Sequence, residues 1–282
     1  MRGPAPRASR WWVAGVIAWR EARAVMRGMG VYVALALALV AATWVLLIDV
    51  RALEAAGLLV LADPFRSPLA IAMLVLAAFL ALSAAVSTAR DRESGTLEVL
   101  FYAPVDEITC VLGKVGGLLV VYIAALPILF ASFALLALIT GFALTPAILL
   151  SLALSIVPVA EVVSFGVLLS VGTSRVRTAV LLLVGATAVL LGAALAYGMV
   201  LLVPITDPSS PVLALRDALA AVDAIVWWIS PFAYLERVVD GALTGAWRTA
   251  LMSLAAAVAY TLLMMAGAAY WLRRRGVYRR SE

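Results

Sequence analysis

Residues 90–114 read RDRESGTLEVLFYAPVDEITCVLGK. Charge, glycine and proline crowd into this stretch, and long runs of alanine, leucine and valine flank it on both sides. The island is too polar to cross a bilayer and too short to form a domain. Its flanks set the fold class, and its own pattern sets the functional reading.

Of 282 residues, 66% are apolar and 13% are charged. A soluble globular domain is nearer to about 45–50% apolar and about 25% charged. Runs of some 18 or more residues almost free of charge recur along the chain, as membrane-spanning helices require. The fold class expected is an all-α integral membrane protein with six transmembrane helices. The spans fall at about 31–48, 69–88, 116–139, 147–171, 178–203 and 249–272, each long enough for a hydrocarbon core of about 30 Å. Pro127 and Pro158 lie inside spans three and four, where a membrane helix accommodates them with a kink. The whole chain reads as one transmembrane domain.

Absent residue types exclude several chemistries. The chain has no His, no Asn, no Gln and one Cys, Cys110. A zinc or copper site of His/Cys type therefore lacks a ligand set. Ser-His-Asp and Cys-His catalytic arrangements cannot be assembled. No metal or cofactor is expected in this chain. The net charge of +5 is not gathered into one patch, which argues against a nucleic-acid partner.

Basic residues fall instead by side. Stretches 1–30, 89–115, 172–177 and 273–282 hold sixteen Lys and Arg, against five on the alternate face (Arg51, Arg66, Arg216, Arg237, Arg248). The positive-inside rule puts both termini and the island in the cytoplasm of a cell-membrane protein. The opposite face carries eight acidic residues against its five Arg.

Residues 1–30 resemble a signal peptide at first, but Arg20, Glu21 and Arg23 interrupt the apolar stretch. On a helical wheel Arg10, Arg20, Glu21, Arg23 and Arg27 share one half, and Trp11, Trp12, Trp19, Val25 and Met26 the other. That pattern predicts a helix lying in the membrane interface on lipid. Between spans five and six, residues 204–248 contain Ser210-Pro211 and Ser230-Pro231. Each is a capping residue followed by Pro at the first helical position. Two short amphipathic helices are expected there, outside the bilayer or dipping into its surface. Within span five, Ala188, Gly192 and Ala196 mark a small-residue face for helix packing.

Residues 90–103 read as one amphipathic helix ended by Pro104. Leu97, Leu100 and Phe101 lie on one face, with Asp91, Gly95 and Glu98 on the other. Glu93 falls on the apolar face, so it should find a cation, with Arg90, Arg175 and Arg177 as candidates.

The island resembles the intracellular segment of ABC-2-type transporter permeases, which commonly carries an acidic residue, then Gly-Thr-Leu-Glu, a Pro-Val pair and Gly-Lys before the third span. The matching positions are Arg92-Glu93, Gly95-Thr96-Leu97-Glu98, Pro104-Val105 and Gly113-Lys114. The six spans, the interfacial helix and the helical loop before span six are also similar, so the resemblance covers nearly the whole chain. Asp106-Glu107 departs from it, since many members carry a basic residue there. The resemblance implies an exporter's membrane subunit that pairs with a second permease and with separate ATP-binding subunits. The island would be the coupling helix seated in the ATPase. ATP and Mg would be bound by that partner. VLGKVGG (111–117) is the only phosphate-loop lookalike, and Ile108 and Val115 stand where that loop needs Gly and Ser/Thr.

Glu161 is the one acidic residue inside a predicted span, one turn after Pro158. A charged carboxylate at that depth costs roughly 2.5–3.5 kcal/mol or more. Two readings stand: a residue lining the translocation path, with Ser164 on the same face, or a neutral Glu bonding a carbonyl freed by Pro158. A haem-exporter or cytochrome-maturation permease shares the island motif but has a shorter segment before its last span. An intramembrane enzyme acting on lipid would need more than one carboxylate.

Overall fold

The structure, a computed structural model, describes residues 10–56, 63–94, 106–173, 175–203 and 211–276. Every regular element among them is a helix: α1 (Arg10–Arg27), α2 (Met29–Ala56), α3 (Arg66–Glu93), α4 (Glu107–Thr140), α5 (Pro146–Leu154), α6 (Ile156–Val171), α7 (Val176–Leu201), α8 (Pro211–Ile229), α9 (Pro231–Leu243) and α10 (Trp247–Gly276). Six stretches are long and apolar enough to cross a membrane: α2, α3, α4, α5 with α6, α7 and α10. This is the architecture of a multi-pass membrane protein.

Several helices outrun their apolar cores. α3 continues through Arg90–Glu93, so these residues form the last turn of span two, where the sequence pattern started a separate helix. α4 begins at Glu107, well ahead of residue 116, with Asp106 at its N-cap. Both acids sit where a helix dipole favours negative charge, which accounts for Asp106-Glu107. α4 runs through Pro127 unbroken and stops at Gly141, whose φ of 73° suits glycine alone.

Span four is two helices meeting at Ser155. Pro158 supplies no N–H for the preceding turn, so the helix is weakest there. The Ser155 hydroxyl donates to the Leu152 carbonyl at 2.7 Å and shares a 2.7 Å hydrogen bond with the Tyr122 hydroxyl. The break is thus fastened sideways to α4.

α3 and α6 form the centre of the bundle, with α2, α4 and α10 packed around them. Lipid is as apolar as a leucine side chain, so close packing and hydrogen bonds must hold such helices together. Gly166 of α6 meets α3 so closely that a Cβ would lie 2.4 Å from the Ala81 carbonyl oxygen. One turn on, the Ser170 hydroxyl donates to the Ala85 carbonyl at 2.6 Å. The small-residue face of span five is not used at Ala188 and Gly192 for packing within the chain. Ala188 and Gly192 are exposed, and a Cβ at Gly192 would meet nothing within 4 Å.

The 204–248 connection supplies α8 and α9. Ser230 has extended N-cap backbone ahead of Pro231, although its side chain makes no capping bond. α9 buries Phe232, Leu235, Val239 and Ala242 at helical spacing. It is wedged among α3, α5, α6 and α10, while α8 packs on α7.

Candidate functional site

The polar side chains concentrate at the end of the bundle where α1 crosses the start of α4. Two glycines one turn apart on α4 allow the crossing. A Cβ at Gly113 would lie 2.7 Å from Ile17, and one at Gly117 would lie 2.5 Å from the Ala18 backbone oxygen. With bare backbone on α4, α1 settles into the groove. Ile17, Glu21 and Ala22 are buried, and Trp11, Trp12 and Trp19 point outward. The wheel placed Glu21 on the same polar half as the arginines. The contact with α4 takes it inside instead.

Glu21 is buried because Lys114 is there to meet it. Lys114 is only 3% exposed. Its ammonium lies 2.5 Å from Asp91 Oδ2, 3.3 Å from Glu21 Oε1 and 2.8 Å from the Ser87 hydroxyl oxygen. Ser87 in turn donates to Glu21 Oε2 at 2.8 Å. Arg20 closes the group from outside, 3.0 Å from Glu21 Oε1 and 3.6 Å from Asp91 Oδ2. Two cations face two carboxylates, so the cluster is neutral. Burial pushes the Glu21 carboxyl up, but Lys114, the Ser87 hydroxyl and Arg20 outweigh it and hold the group below its ordinary range. Three helices, α1, α3 and α4, are joined by one buried network.

The last turn of α3 makes a second attachment. The Arg92 guanidinium donates to the Val171 carbonyl at the end of α6 and to the Thr173 carbonyl at 3.3 Å. The next residue, Glu93, accepts from the Val176 N–H at the start of α7 at 3.3 Å. A cation thus meets the negative end of one helix, and a carboxylate meets the positive end of the next. No arginine side chain pairs with Glu93 among the described residues. Its partner is a helix N-terminus, which periodicity along the island does not reveal. Asp106 pairs with Arg10 of α1 at 2.9 Å.

The nominated residues divide three ways. Arg92, Glu93, Gly113 and Lys114 converge on this junction, and all four act within the chain. Gly95, Thr96, Leu97, Glu98 and Pro104 lie outside the described residues, as do Leu100 and Phe101. Glu161 and Ser164 sit elsewhere, on α6, with Glu161 about 15 Å along the helix from the Val171 carbonyl.

Glu161 is fully buried, and neither carboxyl oxygen hydrogen-bonds to a described residue. The reading in which it bonds a carbonyl freed by Pro158 is therefore not met. Ser155 and Tyr122 serve the break instead. Ser164 turns back on its own helix and donates to the Ala160 carbonyl at 2.7 Å.

No family model matches the chain, and no curated protein matches its sequence. The residues missed by sequence reading are Arg20, Glu21, Ser87 and Asp91. One signal was available: the chain's single Lys among twenty Arg directly follows Gly113 and stands three residues before Gly117, at the edge of an apolar run. An isolated Lys there needs carboxylate partners.

Proposed function

We propose that the chain is the membrane-spanning subunit of an ATP-driven ABC-2-type exporter in the cell membrane, with both termini cytoplasmic. It forms the translocation path with a second copy or a similar permease and couples to a separate ATP-binding subunit. The observation that supports the reading is how the described residues on either side of 95–105 are fastened. Before it, Arg92 and Glu93 fasten α3 to the α6–α7 turn. Across it, Asp91 on one side is paired with Lys114 on the other, and α1 is locked to both.

A load applied to such a segment is passed at once to four spans and to the surface helix. Of the flanking residues Ser94 is exposed and Asp106 half-buried, whereas Lys114 behind them is buried. α1 fits an interfacial helix, with its tryptophans outward, and α8 and α9 belong to the opposite face. Arg92, Glu93, Gly113 and Lys114 then transmit movement, and the residues from Gly95 to Pro104 make the contact. Glu161 lines the path or governs its opening.

The test is co-expression with candidate ATP-binding subunits followed by co-purification. Wild-type protein should retain the ATPase and alter its hydrolysis rate. Gly95→Trp, which adds bulk on the face assigned to docking, should insert normally yet lose the ATPase or uncouple it. Full retention with wild-type transport by that variant overturns the assignment of the island.

A further inference from the structure

At the end of the bundle far from α1, the start of α3, the end of α7, α8 and α9 surround a cavity of about 570 Å³. Small-molecule sites typically measure about 300–1,000 Å³ and are mostly apolar with a few placed polar groups. Ile71 and Leu74 of α3, Leu191 and Tyr197 of α7 and Trp227 of α8 are among the apolar and aromatic residues that line it. Arg66 opens α3, whereas Leu74 lies about 12 Å further in along the same helix.

The charges in that lining do not balance. Three carboxylates (Asp223, Glu236 and Asp240) and one guanidinium (Arg66) line the cavity. Arg66 is already paired with Asp240. Asp223 and Glu236 pair with no cation among the described residues. The other nearby cation, Arg237, does not line the space. It donates to the Trp227 carbonyl and stacks over the rings of Trp227, Trp228 and Tyr234. The cavity therefore offers an apolar, aromatic lining together with two carboxylates that pair with no cation among the described residues.

We propose that this cavity binds a cationic amphiphile, its apolar body against Leu74, Leu191 and Trp227 and its positive charge between Asp223 and Glu236. Asp223 is half-buried and Glu236 exposed; the apolar lining beside them strengthens their field relative to open water, and the Tyr197 ring adds a π face that attracts cations. An anion of equal size meets repulsion from the same carboxylates. The proposal rests on the transporter reading for its purpose and names a substrate class for it, but binding is a property of this chain alone.

The experiment uses two rigid ions of nearly the same shape and opposite sign, tetraphenylphosphonium and tetraphenylborate. Equilibrium dialysis of the purified full-length chain in detergent, read against empty micelles, should show saturable retention of the cation. The anion should bind at least about ten-fold more weakly. Asp223→Asn combined with Glu236→Gln should weaken cation binding by about ten-fold and erase the preference. Glu54→Gln, an acid outside the cavity, should change neither. Leu74→Trp, which fills the interior and leaves the acids in place, should abolish retention, and it stands in if the double variant does not fold. Equal retention of both ions by wild-type protein, or a preference that survives in the folded double variant, overturns the proposal. Charge-selective binding by a chain that engages no ATPase would leave the site standing and remove the transporter reading. ATPase coupling without selective binding would do the reverse.

Discussion

Lys114 Nζ stands 2.5 Å from Asp91 Oδ2, so the two helix ends that flank residues 95–105 are joined by a buried charge pair. Removing one partner of such a pair leaves the other charge uncompensated, which typically costs about 3–5 kcal/mol. Lys114→Met should therefore lower stability by about 3 kcal/mol, near the bottom of that range because Arg20 still faces Glu21 and Asp91. Adding Glu21→Gln to Lys114→Met should recover part of the loss, and thermal unfolding of the four proteins of that cycle measures it. Strict additivity of the two single changes would show that the residues do not interact.

Acid should release α1. The folded Glu21 carboxyl titrates below its ordinary value of 4.5. A depressed carboxyl stabilises the fold above the unfolded value and loses that contribution as pH falls through the folded one. Protection factors of the α1 amides, exchange rates corrected for their intrinsic pH dependence, should thus be high at neutral pH and should fall as pH drops below 4.5. Glu21→Gln should flatten this dependence. A wild-type profile that the substitution leaves unchanged would assign acid sensitivity to other groups.

The glycines of α4 offer a contrast with those of α7. Gly117→Val drives a side chain into the Ala18 backbone, which cannot yield as a side-chain tip can. A loss of about 2 kcal/mol is expected, with α1 becoming accessible to protease. Gly192→Ala enters open space and should change stability by less than about 1 kcal/mol. Equal tolerance at both positions would mean that α1 does not lie in the α4 groove.

Glu161 tests whether a costly residue is kept for function. A buried carboxyl without a hydrogen bond destabilises the fold by its desolvation, so Glu161→Leu should raise the thermal midpoint, gaining about 1–2 kcal/mol. The same variant should transport poorly if the group serves the path. Glu161→Leu with full transport and unaltered stability would take Glu161 out of both roles.

The spans were legible because an apolar run of membrane length has few alternative fates, and Ser230-Pro231 starts a helix by local backbone chemistry alone. Side-chain partners were not legible in the same way. Glu93 pairs with a helix N-terminus 83 residues away, and Glu21 pairs with Lys114 across 93 residues. Such pairs follow from which helices touch, a matter settled by small contacts such as Gly166 on Ala81. In an alanine-rich chain, small residues occur on every face. Ala188 and Gly192 therefore looked as suited to packing as Gly113 and Gly117, and only the crossing of α1 over α4 separates them.

The asymmetry of sixteen basic residues against five predicts which end of the bundle faces the cytoplasm. The junction around Lys114 belongs to the basic side, and the cavity beside Asp223 to the acidic one. Ser94 and Ala218 are exposed and mark the two sides. With Cys110, a buried thiol, replaced by Ser, single cysteines at these two positions can be challenged in intact cells with an impermeant maleimide. Ala218→Cys should label from outside, and Ser94→Cys only after the membrane is opened. Reversed labelling would turn the molecule over. The segment 95–105 would then face away from any cytoplasmic ATPase, and the cavity would open to the cytoplasm.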